Sequence, residues 1–168
     1  MLSPSWVPAT RAPRQAPAKK AASAVAGDPE KGRAIFFGPE ARCSICHSFR
    51  GEGGHVAPDL TPQTERDPEA VLRDIVEPNA AINPEFVTYV VQLTNGDTVN
   101  GVVLSQDPDK IVLVDAEAKE RPFPRSKIQQ FRASALSLMP EGFKKLGDEK
   151  LRDLVAFLCT PAPARKGD

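Results

Sequence analysis

The sequence predicts an α+β protein, a helical core interrupted by a small antiparallel strand segment. Three observations predict it. Helix-start signatures stand at Asp28-Pro29-Glu30, Asp67-Pro68-Glu69 and Gly147-Asp148. Between the second and the third, Val87, Tyr89, Val91 and Leu93 alternate with period two and run into Asn95-Gly96, a strong hairpin signal. Between the first and the second lies the pentapeptide Cys43-Ser44-Ile45-Cys46-His47.

Length and composition bound these elements. The 168 residues suffice for one domain, or one domain with an inserted subdomain. No apolar run approaches the roughly 20 residues of a spanning helix, so no transmembrane segment is expected in this chain. Lys+Arg and Asp+Glu are both 22, and the zero net charge removes a strongly basic nucleic-acid binder from the first guesses. Residues 1–26 hold four basic residues, no acid, four prolines and eight alanines, which leaves the remainder with a net charge of −4. Such a stretch cannot bury enough surface to offset its ordering entropy, so it reads as a disordered tail or linker. It lacks the apolar h-region of a secretory signal.

In chain order, Asp28 is an N-cap and Pro29 is pre-organised for a first helical position. This helix should run to about Phe37 and stop at Gly38-Pro39, with Gly32 and Phe36 on one face. The pentapeptide follows. Two thiols three positions apart on one turn of chain can add to the two vinyl groups on one edge of a porphyrin, and the adjoining histidine can then ligate the iron. C-x-x-C-H therefore reads as c-type haem attachment. A disulfide, half a zinc site and a thioredoxin-like pair are the alternatives. Zinc would need a second pair of ligands, and only His55 and Cys159 remain.

The second helix carries Val71, Leu72, Ile75 and Val76 on one face and closes at Glu77-Pro78. Residues 85–133 read as strands: a hairpin at Asn95-Gly96, a return over 98–104 with a bulge or bend at Gly101, a turn at Asp107-Pro108-Asp109 and a third strand over 110–114. Pro122 and Pro124 interrupt, and 127–131 makes a fourth strand, the whole curled like an SH3 or Sm barrel. The last helix takes Asp148 as N-cap and aligns Leu151, Leu154, Val155 and Leu158. Cys159 reads as a buried small hydrophobe, and Thr160-Pro161 ends the helix.

Gly32 and Phe36, the C-x-x-C-H pentapeptide, Gly53-Gly54-His55-Val56-Ala57-Pro58-Asp59-Leu60, Leu138-Met139-Pro140 and Asp153 to Leu158 together resemble a class I cytochrome c. The resemblance covers about residues 27–80 and 134–159. It implies a helical core around one covalent haem c, with Gly32, Phe36, Leu154 and Phe157 where the first and last helices cross. It implies thioethers at Cys43 and Cys46 and His47 as proximal axial ligand. The Pro58 carbonyl would accept the His47 Nδ1 proton, and Leu60 would pack on the haem face. Ala57 departs from the glycine that the family often has there. Only Met1 and Met139 could supply a thioether to the sixth iron position. Met1 lies in the tail, and Met139 matches the family's distal methionine. The alternatives are Met139 as core filling and His55 as a rival ligand, which reads instead as a surface histidine.

His47 and Met139 are 92 residues apart, about twice what a compact class I cytochrome needs. On that basis 27–84 and 134–160 form the split cytochrome domain and 85–133 a β insertion. With this insertion ahead of the distal methionine, the chain resembles the haem-binding domain family of planctomycete and verrucomicrobial bacteria, whose members often end larger exported proteins. The expected function is electron transfer to a redox partner or a fused dehydrogenase domain, without enzymatic activity of its own and without nucleic acid. Its expected place is outside the cytoplasm, in the periplasm. A haem-based ligand sensor or peroxidase-like enzyme, or an interaction module with structural haem, is the alternative.

Overall fold

The computed structural model describes residues 27–161; the tail read at 1–26 lies outside the described residues. Helix α1 spans Pro29–Phe37. Asp28 caps it as expected, its Oδ1 accepting the backbone N–H groups of Glu30 at 2.9 Å and Lys31 at 3.3 Å. Extended backbone at Gly38 ends it, and Gly32 and Phe36 form its buried face.

Helix α4 spans Asp148–Cys159 and crosses α1. Its cap is Gly147 rather than the expected Asp148, which instead joins Glu149 in the first turn. There both carboxylates face the positive end of the helix. At the crossing a Cβ on residue 32 would fall 1.9 Å from the Asp153 carbonyl oxygen, so only glycine lets the two backbones touch. Asp153 is 5% exposed, and its Oδ1 accepts the Asp28 N–H at 2.7 Å, which answers the buried carboxylate and ties the start of α1 to α4. Phe36, Phe37, Phe49 and Phe157 surround the crossing with ring centroids 4.7 to 6.4 Å apart. Between them lies helix α3, named after a one-turn helix α2 at Cys43–Cys46. It spans Pro68–Val76 and adds Val71 and Ile75 to the same core, beside Leu151, Leu154 and Leu158. Cys159 is buried in this core, as expected of a small hydrophobe.

Beyond a two-residue pair, β1 at Ser48–Phe49 and β2 at Glu52–Gly53, all strands lie between α3 and α4. They are β3 (Thr88–Leu93), β4 (Thr98–Gln106), β5 (Lys110–Val114), β6 (Glu120–Pro124) and β7 (Ile128–Ala133). The sheet is antiparallel in the order β6-β5-β4-β3-β7, so the last strand returns to pair with the first. Five strands form where the sequence suggested four. Pro122 and Pro124 do not interrupt but lie within β6, an edge strand. They are two residues apart, so both present the missing N–H to the same, open side, where a proline costs no ladder bond and blocks further pairing. Gly101 is no bulge either, since it pairs in register with Tyr89. The β4–β5 register shifts instead between Val103 and Ser105. At Gly101 a Cβ would meet the Val114 carbonyl at 2.6 Å, so close strand approach is what that glycine serves. The sheet has a core of its own, Val91, Ile111 and Leu113, separate from the helical one.

The crossing makes Gly32→Ala the most damaging small substitution in α1. The added methyl has backbone, not a flexible side chain, in its way, so overpacking of about 1–3 kcal/mol is expected. Thermal unfolding followed by circular dichroism should show a midpoint several degrees lower, whereas Ala34→Gly, on the exposed side of the helix, should lose only its helix propensity of about 1 kcal/mol.

Candidate functional site

Arg42, whose φ of 54° is left-handed, precedes the C-x-x-C-H segment, which makes the single turn α2. His47 leaves the turn in extended conformation, with its N–H on the Cys43 carbonyl at 2.9 Å. The following loop folds back onto this turn through its backbone. Gly54 N–H donates to Ser44 O at 2.8 Å, and Val56 and Ala57 N–H both donate to Cys46 O at 3.0 Å. A Cβ at residue 54 would lie 2.1 Å from Ile45 O, which explains glycine there. The loop next delivers Pro58, whose carbonyl oxygen lies 2.8 Å from His47 Nδ1. A carbonyl can only accept, so Nδ1 carries the proton and Nε2 keeps its lone pair. Burial pushes the His47 pKa down, against a smaller upward push from the Pro58 bond. The ring is therefore a neutral imidazole at pH 7, the form that ligates metals.

Both thiols are held protonated. Burial pushes Cys43 up to about 11, and burial likewise raises Cys46 against the pull of the Arg42 charge. The charges of Asp115 and Glu117 add smaller upward pushes on Cys46. The two cysteines are not disulfide-bonded. Among the described residues no cluster of three His, Cys, Asp or Glu could hold a metal ion, so the zinc alternative finds no partners.

Cys43, Cys46, His47, Pro58, Leu60 and Met139 all line one cavity of about 750 Å³. That volume lies within the roughly 300–1,000 Å³ typical of cofactor sites. Val71, Ile75, Leu138, Phe143 and Leu158 make much of the rest of its wall apolar. Met139 arrives from a segment without helix or strand, and its half-buried side chain packs against the helical core. A neutral imidazole, a thioether, two thiols and an apolar wall make a donor set and surroundings that fit a covalently attached haem. His55 is not part of this set. It is exposed and lines a separate cleft of about 290 Å³ with Glu85 and Glu120.

Sequence reasoning named none of the residues that the strand-rich segment lends to the cavity. Phe86, Val102 and Ala116 stand in its wall, and no local signal marks them, because the approach of the sheet to Cys46 is set by tertiary packing. It also missed Arg66 and Asp74, both in the wall and ion-paired at 2.7 Å.

The sequence profile described as Cytochrome c matches residues 29–112, half of the chain. The match takes in α1, the C-x-x-C-H turn, the glycine-rich loop, α3 and the first strands of the sheet; Met139 and α4 lie beyond it. No curated protein matches the chain.

Proposed function

The chain belongs to the cytochrome c family, and from that premise we propose that it is a single-haem electron carrier with His47 and Met139 as axial ligands. The family brings covalently bound haem c, and with it iron and haem-based electron transfer. Haem supplies one-electron exchange between the ferric and ferrous states of its iron. Cys43 and Cys46 would hold it by thioethers, and Leu60 would add to the apolar wall against it. Pro58 orients the His47 ring and fixes its tautomer, so that Nε2 is the ligating atom. Met139 would supply a soft sulfur ligand, which favours the ferrous state and raises the potential. The observation that carries this reading is convergence. Cys43, Cys46, His47 and Met139 stand in one cavity wall although His47 and Met139 are 92 residues apart.

In this reading residues 27–84 and 134–160 are one cytochrome domain and 85–133 an insertion, supported by the separate apolar core of the sheet. A strand-rich insertion just ahead of the distal methionine favours the planctomycete and verrucomicrobial type of haem-binding domain. Its partner is then a redox protein or a fused dehydrogenase domain. No helix among the described residues is long and apolar enough to cross a membrane. Cytochrome c domains are commonly exported, and the periplasm is the proposed location.

Thioethers do not dissociate, so haem should stay with the chain through denaturing electrophoresis, and mass spectrometry should find one per chain. Replacing both Cys43 and Cys46 by Ala should abolish this; release of haem from the native protein by acid-acetone would exclude covalent attachment.

For Met139, the oxidised protein should show the weak long-wavelength sulfur-to-iron charge-transfer band. Met139→Ala should remove the band, lower the potential and open the iron to carbon monoxide. His55→Ala should change none of these, and loss of the sixth ligand in His55→Ala alone would make the centre bis-histidine.

A further inference from the structure

Met139 sits in a segment with no helix or strand to hold it, at the end of a long excursion of the chain. The chain leaves the helical core just after α3 and returns just before Met139. At this neck Asn79 bonds both flanks of the Met139 segment. Its Oδ1 accepts the Ser137 backbone N–H at 2.8 Å, across 58 positions of sequence. Its Nδ2 donates to Glu141 Oε1. Ser137 Oγ in turn accepts the Met139 N–H at 3.1 Å, so the bond from Asn79 is passed on to the backbone of the methionine itself. Lys144 and Glu77, 3.9 Å apart, add a longer ionic tie between the same two segments.

The chemistry of the two partners selects the residue. A backbone N–H can only donate and a carboxylate can only accept. Asparagine answers both at once with its carbonyl and amide ends. Aspartate would keep the Ser137 bond but bring a second carboxylate to Glu141. Alanine would lose both bonds.

We propose that Asn79 is a positioning residue for the distal ligand, clamping the segment on both sides of Met139 so that its sulfur stays at the haem. This rests on the reading of Met139 as axial ligand. Any external ligand that takes the place of Met139 must move the segment, and must therefore strain or break the clamp. The clamp also closes the neck of the sheet, since residues 80–136 lie wholly between its two halves.

The test is imidazole binding to the ferric, haem-loaded full chain, followed by absorption, in two backgrounds. Asn79→Ala should bind imidazole roughly fivefold to thirtyfold more tightly, the factor for the one to two kcal/mol that two such bonds hold. In the Met139→Ala background the same substitution should leave the affinity unchanged, because no sulfur remains to be displaced. Asn79→Asp should weaken the clamp, and Asn79→Asp with Glu141→Gln should restore it. In that pair the new amide donates to the new carboxylate at unchanged net charge.

An equal change in both backgrounds, or none in the native one, would overturn the role of Asn79. If Asn79→Ala does not fold, Asn79→Asp and its rescue by Glu141→Gln decide the matter by the same measurement. Loss of the reading of Met139 itself has a different signature: no sulfur-to-iron band in the native protein, and no effect of Met139→Ala on imidazole affinity.

Discussion

The contact of backbone with backbone where α1 crosses α4 is the constraint on which the rest of the structure depends. It brings together Gly32 and Asp153, more than a hundred residues apart, at a distance that excludes even one methyl group. Such long-range closure is entropically expensive, and it must be offset by what it buries. Here that is Phe36, Leu154 and Phe157 together with the Asp28–Asp153 bond. Once the ends are joined, everything between them hangs as loops from a fixed frame. The C-x-x-C-H turn, the glycine-rich loop, α3 and the Met139 segment then need only short reaches to surround one cavity.

Within that frame the two sides of the site are built differently. The His47 side is made from backbone. The N–H groups of Gly54, Val56 and Ala57 in the glycine-rich loop bond carbonyls of the C-x-x-C-H turn, and the Pro58 carbonyl orients the ring. All of these partners lie close together in sequence, so this side can form locally. The Met139 side is reached only after the sheet has been traversed. It is tied to the core by side chains, Asn79 above all, rather than by a backbone ladder. The difference follows from sequence distance: a loop that returns from far away has no neighbouring carbonyls of its own to fold onto.

Much of this was legible in the sequence where the cause was local. Asp28-Pro29 announced α1, and Asp67-Pro68 and Glu77-Pro78 bounded α3, because caps and prolines act over a few residues. The C-x-x-C-H spacing carries its chemistry within five residues. Errors arose where position in the sheet overruled local signals. Pro122 and Pro124 read as interruptions, because nothing in the sequence says that their strand would be an edge. Gly101 read as a bulge or bend, when its cause is the Val114 backbone across the ladder. Asp148 read as a cap, but Gly147, with φ of 83°, already turns the chain into the helix there. Asn79 gave no signal at all, since its partners are tens of residues away.

The wall that the sheet lends to the cavity has its own stiffness, and that stiffness has an electrostatic origin. Ala116 reaches the cavity from the β5–β6 turn, whose first residue is the buried Asp115. Burial pushes the Asp115 pKa up, but Arg121 at 2.8 Å and the N–H groups of Lys119 and Glu117 outweigh it, and the carboxyl stays below its usual range. The charge is therefore kept and compensated in place. It pins the turn through three bonds that all lie within seven residues of chain. A buried charge satisfied so locally resists displacement, because moving any one donor would leave it uncompensated. Hence the cavity has a self-braced wall at Ala116 and a wall at Met139 held by side-chain bonds that reach across the neck, those of Asn79 first. Motion that admits or releases a ligand should follow the second. The part of the wall that holds Val102 and Ala116 should then keep its place.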